Sequence, residues 1–201
     1  MNRLLARLLA LGLALGLALA GHGAAQAQPA RYEIDPEHLS VGFLVQHLGY
    51  ARVIGLFQKA SGTFTFDETT ATLSDVRLVV DAASVFTNHR KRDNHLRSTD
   101  FLNAVEFPQI VFKGAKAKRT GERTFVVEGQ LELLGRSEPV TFDVTWNKSG
   151  PYEMPGDKAY VMGASARGSF RRSRFGMNYG VANGWVGDTV ELMVEFEARR
   201  K

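Results

Sequence analysis

The sequence predicts an all-β protein, either a sandwich or a closed barrel of about eight antiparallel strands. Beyond residue 27 most segments alternate apolar and polar side chains, the pattern of strands that bury one face. The same part of the sequence shows no amphipathic helix of ordinary length, and turn residues separate the alternating segments. One polar stretch, 88–103, breaks the alternation and predicts a short helical insertion.

The strands can be placed in order from this alternation. The sequence predicts strands at 31–35, 41–48, 52–66, 71–81, 110–118, 125–133, 140–146, 159–170 and 191–198. We expect the long third strand to bend at Gly55 and Gly62, because glycine tolerates the backbone of a bend or bulge. Segment 147–157 is rich in Pro and Gly and is predicted to be a loop.

The first 27 residues have the features of a sorting signal. Arg3 and Arg7 form a basic start, 8–20 is an uninterrupted Leu/Ala/Gly run, and 25–27 supplies small residues for cleavage. The run is short for a membrane-spanning helix, which needs about 20 residues; its retention as an anchor is the alternative. We expect cleavage after Ala27, a periplasmic or secreted protein without an integral membrane span, and a single domain over 28–201.

Composition excludes several functional classes. Loss of Arg3 and Arg7 would take the net charge from +4 to +2, and no dense basic stripe of the kind that binds nucleic acid is present. The absence of cysteine excludes disulfides, thiol chemistry and cysteine-ligated metal. Four of the five histidines follow residue 27 without HxH or HExxH spacing, so no metal site is predicted. The oligomeric state is open, with a homodimer as one option.

The polar stretch 88–103 is the candidate for a specific role. Asn88 is predicted to be the N-cap of its helix, and Asp93 and Arg97 have the i,i+4 spacing of an ion pair. Such an insertion could cap a barrel, bind a charged ligand or take part in catalysis. Because it contains both charge signs, its groups could also satisfy one another.

Five segments, in order along nearly the whole chain after residue 27, resemble the YceI-like family. They are 35–43, 92–101 (RDNHLRSTDF), 107–112, 129–144 (GQLELLGRSEPVTFDV) and 186–192. The resemblance implies an extended, antiparallel, lipocalin-like β-barrel whose apolar channel holds a polyisoprenoid or other lipid. It also implies an exported or periplasmic protein. Two positions depart from the family pattern: Leu39 replaces a usual serine, and Arg174 replaces a common aspartate. If position 174 lies near the mouth of the barrel, this charge reversal would favour a more anionic head group.

The inward strand faces supply the candidate channel wall, and the basic residues supply the candidate head-group contacts. The predicted wall consists of Phe43, Val45, Phe64, Phe66, Val80, Phe112, Phe125, Val127, Leu131, Phe142, Trp146, Leu192, Val194 and Phe196. The predicted head contacts are Arg92, His95 and Arg97, followed by Arg172 and Arg174. Periodicity alone leaves open whether the wall residues line a channel or fill the barrel.

Two other functional classes are open. Segment 163–167 nearly spells a nucleophile elbow but ends in Arg167 and lies in a strand pattern. Asp93, His95 and Ser98 contain the residue types of a hydrolytic triad, which only geometry can establish. An exported interaction or inhibitor protein with a filled barrel is the third class. We expect a binding protein that carries a lipid, not an enzyme.

Overall fold

The computed structural model describes residues 28–201 as an antiparallel sheet with one short α-helix. The predicted signal segment, 1–27, lies outside the described residues. The strands are β1 (Ala30–Ile34), β2 (Ser40–His47), β3 (Ala51–Phe57), β4 (Ala60–Asp67), β5 (Thr72–Asp81), β6 (Val85–Phe86), β7 (Gln109–Arg119), β8 (Thr124–Leu133), β9 (Arg136–Pro151), β10 (Tyr160–Arg171) and β11 (Val186–Arg200). Helix α1 spans Arg90–Arg97.

The sheet closes on itself as a barrel of eight strand paths, which confirms the predicted fold class. The pairs β1–β2, β3–β4 and β5–β6 each form one path with a short break. The order β1-β4-β5-β7-β8-β9-β10-β11 is circular because β1 pairs with both β4 and β11. Strand β11 is long enough to pair with β1 through 198–200 and with β2 through 186–195.

The predicted bend of the third strand is in a different place. The break between β3 and β4 falls at 58–59, and both predicted bend glycines lie inside strands. A Cβ at Gly55 would lie 2.1 Å from the ring of Phe43, and one at Gly62 would lie 2.9 Å from the Arg77 carbonyl oxygen. These glycines therefore make room for a ring and for a neighbouring backbone.

Two predicted boundaries also shift. Strand β9 continues to Pro151, so the loop predicted at 147–157 begins only at residue 152. This extension pairs with β10 across an irregularity at Gly163 and Ala164. Strand β11 begins at Val186 and not at 191. In each case ladder hydrogen bonds extend the strand beyond the clear alternation of side chains.

The two ends of the barrel differ. The helix-bearing end consists of turn 48–50, segment 87–108, turn 134–135 and loop 172–185, and the opposite end consists of 68–71, 120–123 and 152–159. At the opposite end the Glu68 carboxylate accepts hydrogen bonds from the hydroxyls of Tyr32 (2.8 Å), Ser149 (2.6 Å) and Tyr160 (3.0 Å). Burial, together with the hydrogen bond to Glu68, raises the pKa of Tyr32 well above its ordinary value. This network joins strands β1, β9 and β10 at the opposite end.

Across residues 28–201 the structure shows no helix with the length and apolar character needed to cross a membrane.

Candidate functional site

The barrel interior is hollow toward the helix-bearing end. An outer chamber of about 620 Å³ lies there, within the usual size range of small-molecule sites. A smaller inner chamber of about 90 Å³ lies deeper. The side chains of Leu78, Phe112, Phe142 and Val194 line both chambers. The structure therefore combines the two readings of the sequence, a channel in the outer half and a largely filled core in the inner half.

Two of the phenylalanines that line both chambers pack against each other. The rings of Phe112 and Phe142 meet edge to face with centroids 4.9 Å apart. A Cβ at Gly129 would lie 2.5 Å from the Phe112 ring, and one at Gly168 would lie 2.9 Å from the Phe142 ring. The missing side chains at these glycines let both rings lie close to the barrel wall.

All the predicted wall residues line one chamber or the other. The outer chamber contains Phe43, Val45, Val80, Leu131 and Leu192 together with the shared Phe112, Phe142 and Val194. The inner chamber contains Phe64, Phe66, Phe125, Val127, Trp146 and Phe196. Alternation identified them because inward positions of a barrel strand recur every second residue. Their role as ligand contacts stays a prediction.

The mouth of the outer chamber is basic. Its polar lining includes Lys91, Arg92 and Arg172, with three histidines, His47, His89 and His95. No aspartate or glutamate is present among the described residues that line this chamber. An apolar cavity whose described lining contains cations and no carboxylate suits a long apolar molecule with an acidic head.

Helix α1 holds Arg92 at this mouth. His89, and not the predicted Asn88, is the N-cap, because its Nδ1 accepts the Arg92 backbone N–H at 3.2 Å. The Arg92 guanidinium donates through Nε to the Thr87 hydroxyl at 2.7 Å and through Nη2 to the Thr87 carbonyl at 2.8 Å. Its Nη1 has no hydrogen-bond partner among the described residues, so it can donate to a ligand.

The predicted ion pair of Asp93 with Arg97 does not form. Asp93 is buried and accepts hydrogen bonds from the backbone N–H of Thr87 at 2.8 Å and from its hydroxyl at 2.5 Å. Arg97 donates to the carbonyl oxygens of Ala83 at 2.6 Å and Val85 at 2.7 Å. Both side chains tie the helix to the segment before it, and Arg97 does not line the chamber.

The other two arginine candidates are also placed differently from the prediction. Arg174 is exposed, lies 3.9 Å from Glu138 and does not line the chamber. Arg172 does line it, but this side chain is fully buried and donates to four carbonyl oxygens, those of Met177, Tyr179, Val186 and Gly187, each at 2.8 Å. Burial lowers the pKa of Arg172, against the attraction of Asp188. Its main role is to shape loop 172–185.

An aromatic roof covers part of the mouth. The ring of His95 meets the rings of Phe101 and Tyr179 edge to face, with centroids 4.9 Å and 4.8 Å away, and Tyr179 contacts Trp185. The Nε2 atom of His95 lies 2.8 Å from the Asp100 carboxylate. Sequence reasoning missed Tyr179 and Trp185, because neither lies in an alternating segment. The only sequence feature that could have indicated them is their position in the polar segment that follows strand β10.

The three residues that could have formed a hydrolytic triad bind other partners. Asp93 binds Thr87, His95 binds Asp100, and the Ser98 hydroxyl donates to the His95 carbonyl oxygen at 2.7 Å. Ser165, in the near-elbow segment, lies on strand β10 and donates to Glu195 on β11. Neither set has the base-to-nucleophile hydrogen bond that defines such a site.

Comparisons with known proteins agree on one family. A YceI-like domain matches residues 32–198. A UPF0312 protein of Pseudomonas savastanoi pv. phaseolicola is 36% identical over 180 residues, which cover 89% of this chain and 91% of the relative. The crystal structure of the YceI protein of Campylobacter jejuni has a TM-score of 0.70 at 27% identity, covering 78% of this chain and 90% of that one.

A more distant structure shares the fold. A polyisoprenoid binding domain from Saccharophagus degradans, implicated in plant cell wall breakdown, has a TM-score of 0.61 at 12% identity. The match covers 87% of this chain and 100% of that domain, and at this identity it concerns the fold alone. With a family match over most of its length and a relative at 36% identity, the chain belongs to the YceI-like family.

Proposed function

We propose that this protein binds a long-chain isoprenoid or similar lipid with an acidic head group, non-covalently and without chemical conversion. The tail occupies the outer chamber, and the head lies at the basic mouth. The observation that carries the proposal is the combination of an apolar chamber of about 620 Å³ with a mouth that contains Lys91, Arg92 and Arg172 and no carboxylate among the described lining residues.

The tail supplies most of the affinity. At about 30 Å³ per water-sized group, the outer chamber accommodates roughly 20 methylene-sized groups. Burial of ten of them contributes about 8 kcal/mol before the cost of ordering the chain. The walls are aliphatic and aromatic side chains without a pattern of polar partners, so the chamber should tolerate several long apolar tails.

The head determines orientation and choice among lipids. A hydrogen bond from the free Nη1 of Arg92 to a phosphate or carboxylate contributes about 1.5–3 kcal/mol. Lys91 adds a second cation to the chamber lining. The head should therefore select acidic lipids over neutral ones with the same tail.

The relatives are compatible with this function. The Saccharophagus degradans domain is described as polyisoprenoid binding, and it shares the barrel fold. We further propose that the signal-like residues 1–27 direct the chain to the bacterial periplasm, where it carries, stores or sequesters its lipid. N-terminal sequencing of the exported protein tests this location, with Gln28 expected as the first residue.

Ligand titration with matched prenyl compounds tests the proposed function. The protein should bind geranylgeranyl phosphate more tightly than geranylgeraniol, and Arg92→Gln should reduce that preference by about tenfold or more, since it removes a charge-assisted hydrogen bond. Arg174→Gln, which removes an exposed arginine away from the chamber, is the control and should bind like the wild type. Equal affinity of the wild type for both compounds would refute an acidic head, and no binding of either would refute the function.

A further inference from the structure

We propose that the helix-bearing end is a docking surface for an anionic lipid bilayer, which holds the mouth of the barrel against the membrane surface. This inference goes beyond lipid binding in the barrel, because it concerns the outer rim and not the chamber. It rests on two independent features of the rim, exposed aromatic and aliphatic side chains and unpaired cations.

Large apolar side chains project from the rim into solvent. Tyr50 is 91% exposed, Val105 96% and Trp185 50%, and each lies in a different loop of the helix-bearing end. Leu48 is also exposed, and its backbone N–H donates to the Trp185 carbonyl oxygen at 3.0 Å, which joins two of these loops. Tryptophan and tyrosine favour the membrane interface, where the ring is buried and its polar atom stays hydrated.

The cations of helix α1 lie on the same rim. Arg90 and Lys91 are exposed, and among the described residues neither forms an ion pair or a side-chain hydrogen bond. Of the carboxylates in segment 87–108, Asp93 is buried against Thr87, Asp100 binds His95, and Glu106 accepts a hydrogen bond from the Asn103 amide. The first turn of the helix therefore presents positive charge that forms no ion pair with these carboxylates, and an acidic membrane surface attracts such charge.

The arrangement of these groups defines the orientation of the protein on the bilayer. Lys91, Leu48 and Trp185 line the chamber mouth as well as the rim. A protein that rests on these residues brings the opening of the chamber to the lipid head groups. A lipid could then pass between bilayer and barrel with little exposure of its tail to water.

Vesicle flotation tests the docking surface. The wild-type protein should float with vesicles of phosphatidylcholine mixed with phosphatidylglycerol, and should stay unbound with phosphatidylcholine alone or at high salt. Arg90→Glu should weaken binding to the mixed vesicles roughly 30-fold, because it changes the local charge by two units. Tyr50→Ser should weaken binding severalfold. Neither Arg90 nor Tyr50 lines the chamber, so both variants should bind geranylgeranyl phosphate like the wild type.

Matched variants at the opposite end serve as controls. Lys158→Glu reverses an exposed charge there, and Met154→Ser removes an exposed apolar side chain, so both should bind vesicles like the wild type. In a Trp146→Phe background, Trp185 is the remaining tryptophan, and its fluorescence should shift to the blue on binding and be quenched by brominated lipid.

Three results would overturn the docking surface. The first is a wild-type protein that binds geranylgeranyl phosphate but does not float with anionic vesicles, which would leave the proposed function intact. The second is an equal loss of vesicle binding in the opposite-end controls. The third is absence of vesicle binding combined with a change of oligomeric state in Arg90→Glu or Tyr50→Ser, which would assign the rim to a protein contact. Flotation without prenyl phosphate binding would support docking and refute the proposed function.

Discussion

Enlargement of Val194 should separate the inner chamber from the outer one. Val194 lies on β11 and lines both chambers beside the rings of Phe112 and Phe142. The inner chamber of about 90 Å³ accommodates roughly three methylene-sized groups at about 30 Å³ each. These contribute about 0.8 kcal/mol apiece. Val194→Phe should therefore weaken ligands that reach the inner chamber by about 2 kcal/mol, or about 30-fold, and leave shorter ligands unchanged.

Displacement of a fluorescent lipid by prenyl phosphates of increasing length measures this effect. Farnesyl phosphate fits within the outer chamber and should bind Val194→Phe like the wild type, whereas geranylfarnesyl phosphate, whose tail exceeds the outer chamber alone, should bind more weakly. Val190→Phe is the matched control, because Val190 is buried on the same strand and lines only the outer chamber. It should weaken both ligands. Equal weakening of farnesyl and geranylfarnesyl phosphate by Val194→Phe would refute the two-chamber account.

Two further predictions concern the ends of the barrel. Arg172→Met leaves four carbonyl oxygens without their shared donor and should lower the free energy of unfolding by about 3 kcal/mol or more, as measured in urea; Arg171→Met, at an exposed ion pair, should cost less than about 1 kcal/mol, and equal losses would contradict this role. Tyr32→Phe should cost about 1 kcal/mol near neutral pH. The folded-state pKa of Tyr32 is raised, so the stability that its hydroxyl contributes is complete below the unfolded pKa of 10.0 and is lost as pH rises toward the folded-state pKa. The difference in free energy of unfolding between the wild type and Tyr32→Phe should therefore shrink in alkaline buffer. A difference in unfolding free energy that is constant with pH would contradict a stabilising hydrogen bond from the Tyr32 hydroxyl to Glu68.

The inward faces of the barrel could be predicted from the sequence because burial there follows a simple rule. In β8 every second residue faces the interior, so Phe125, Val127 and Leu131 were recognisable without the fold. The hollow outer half could not be predicted, because a void depends on the volumes that meet across the barrel and not on periodicity. The boundary between the chambers depends on such packing, because Phe112 and Phe142 lie over glycines of neighbouring strands.

The polar candidates were harder to assign, because no simple sequence rule determines which partners a polar side chain binds. Arg92, Arg97 and Arg172 carry the same functional group, yet only the tertiary hydrogen bonds separate their roles. Arg97 donates its hydrogen bonds to the carbonyls of Ala83 and Val85, which lie more than ten residues away in sequence. Arg172 binds two carbonyls of loop 172–185 and two at the start of β11, while Arg92 keeps one donor without a partner among the described residues. Residue type and spacing carry no information about such long-range partners.

Native mass spectrometry of the protein purified without detergent tests the central claim most directly. The account predicts a discrete added mass that is released on denaturation, extracts into organic solvent and ionises as an acidic lipid with a long apolar tail. A clean apo mass, combined with failure of geranylgeranyl phosphate and geranylfarnesyl phosphate to bind when added back, would contradict it.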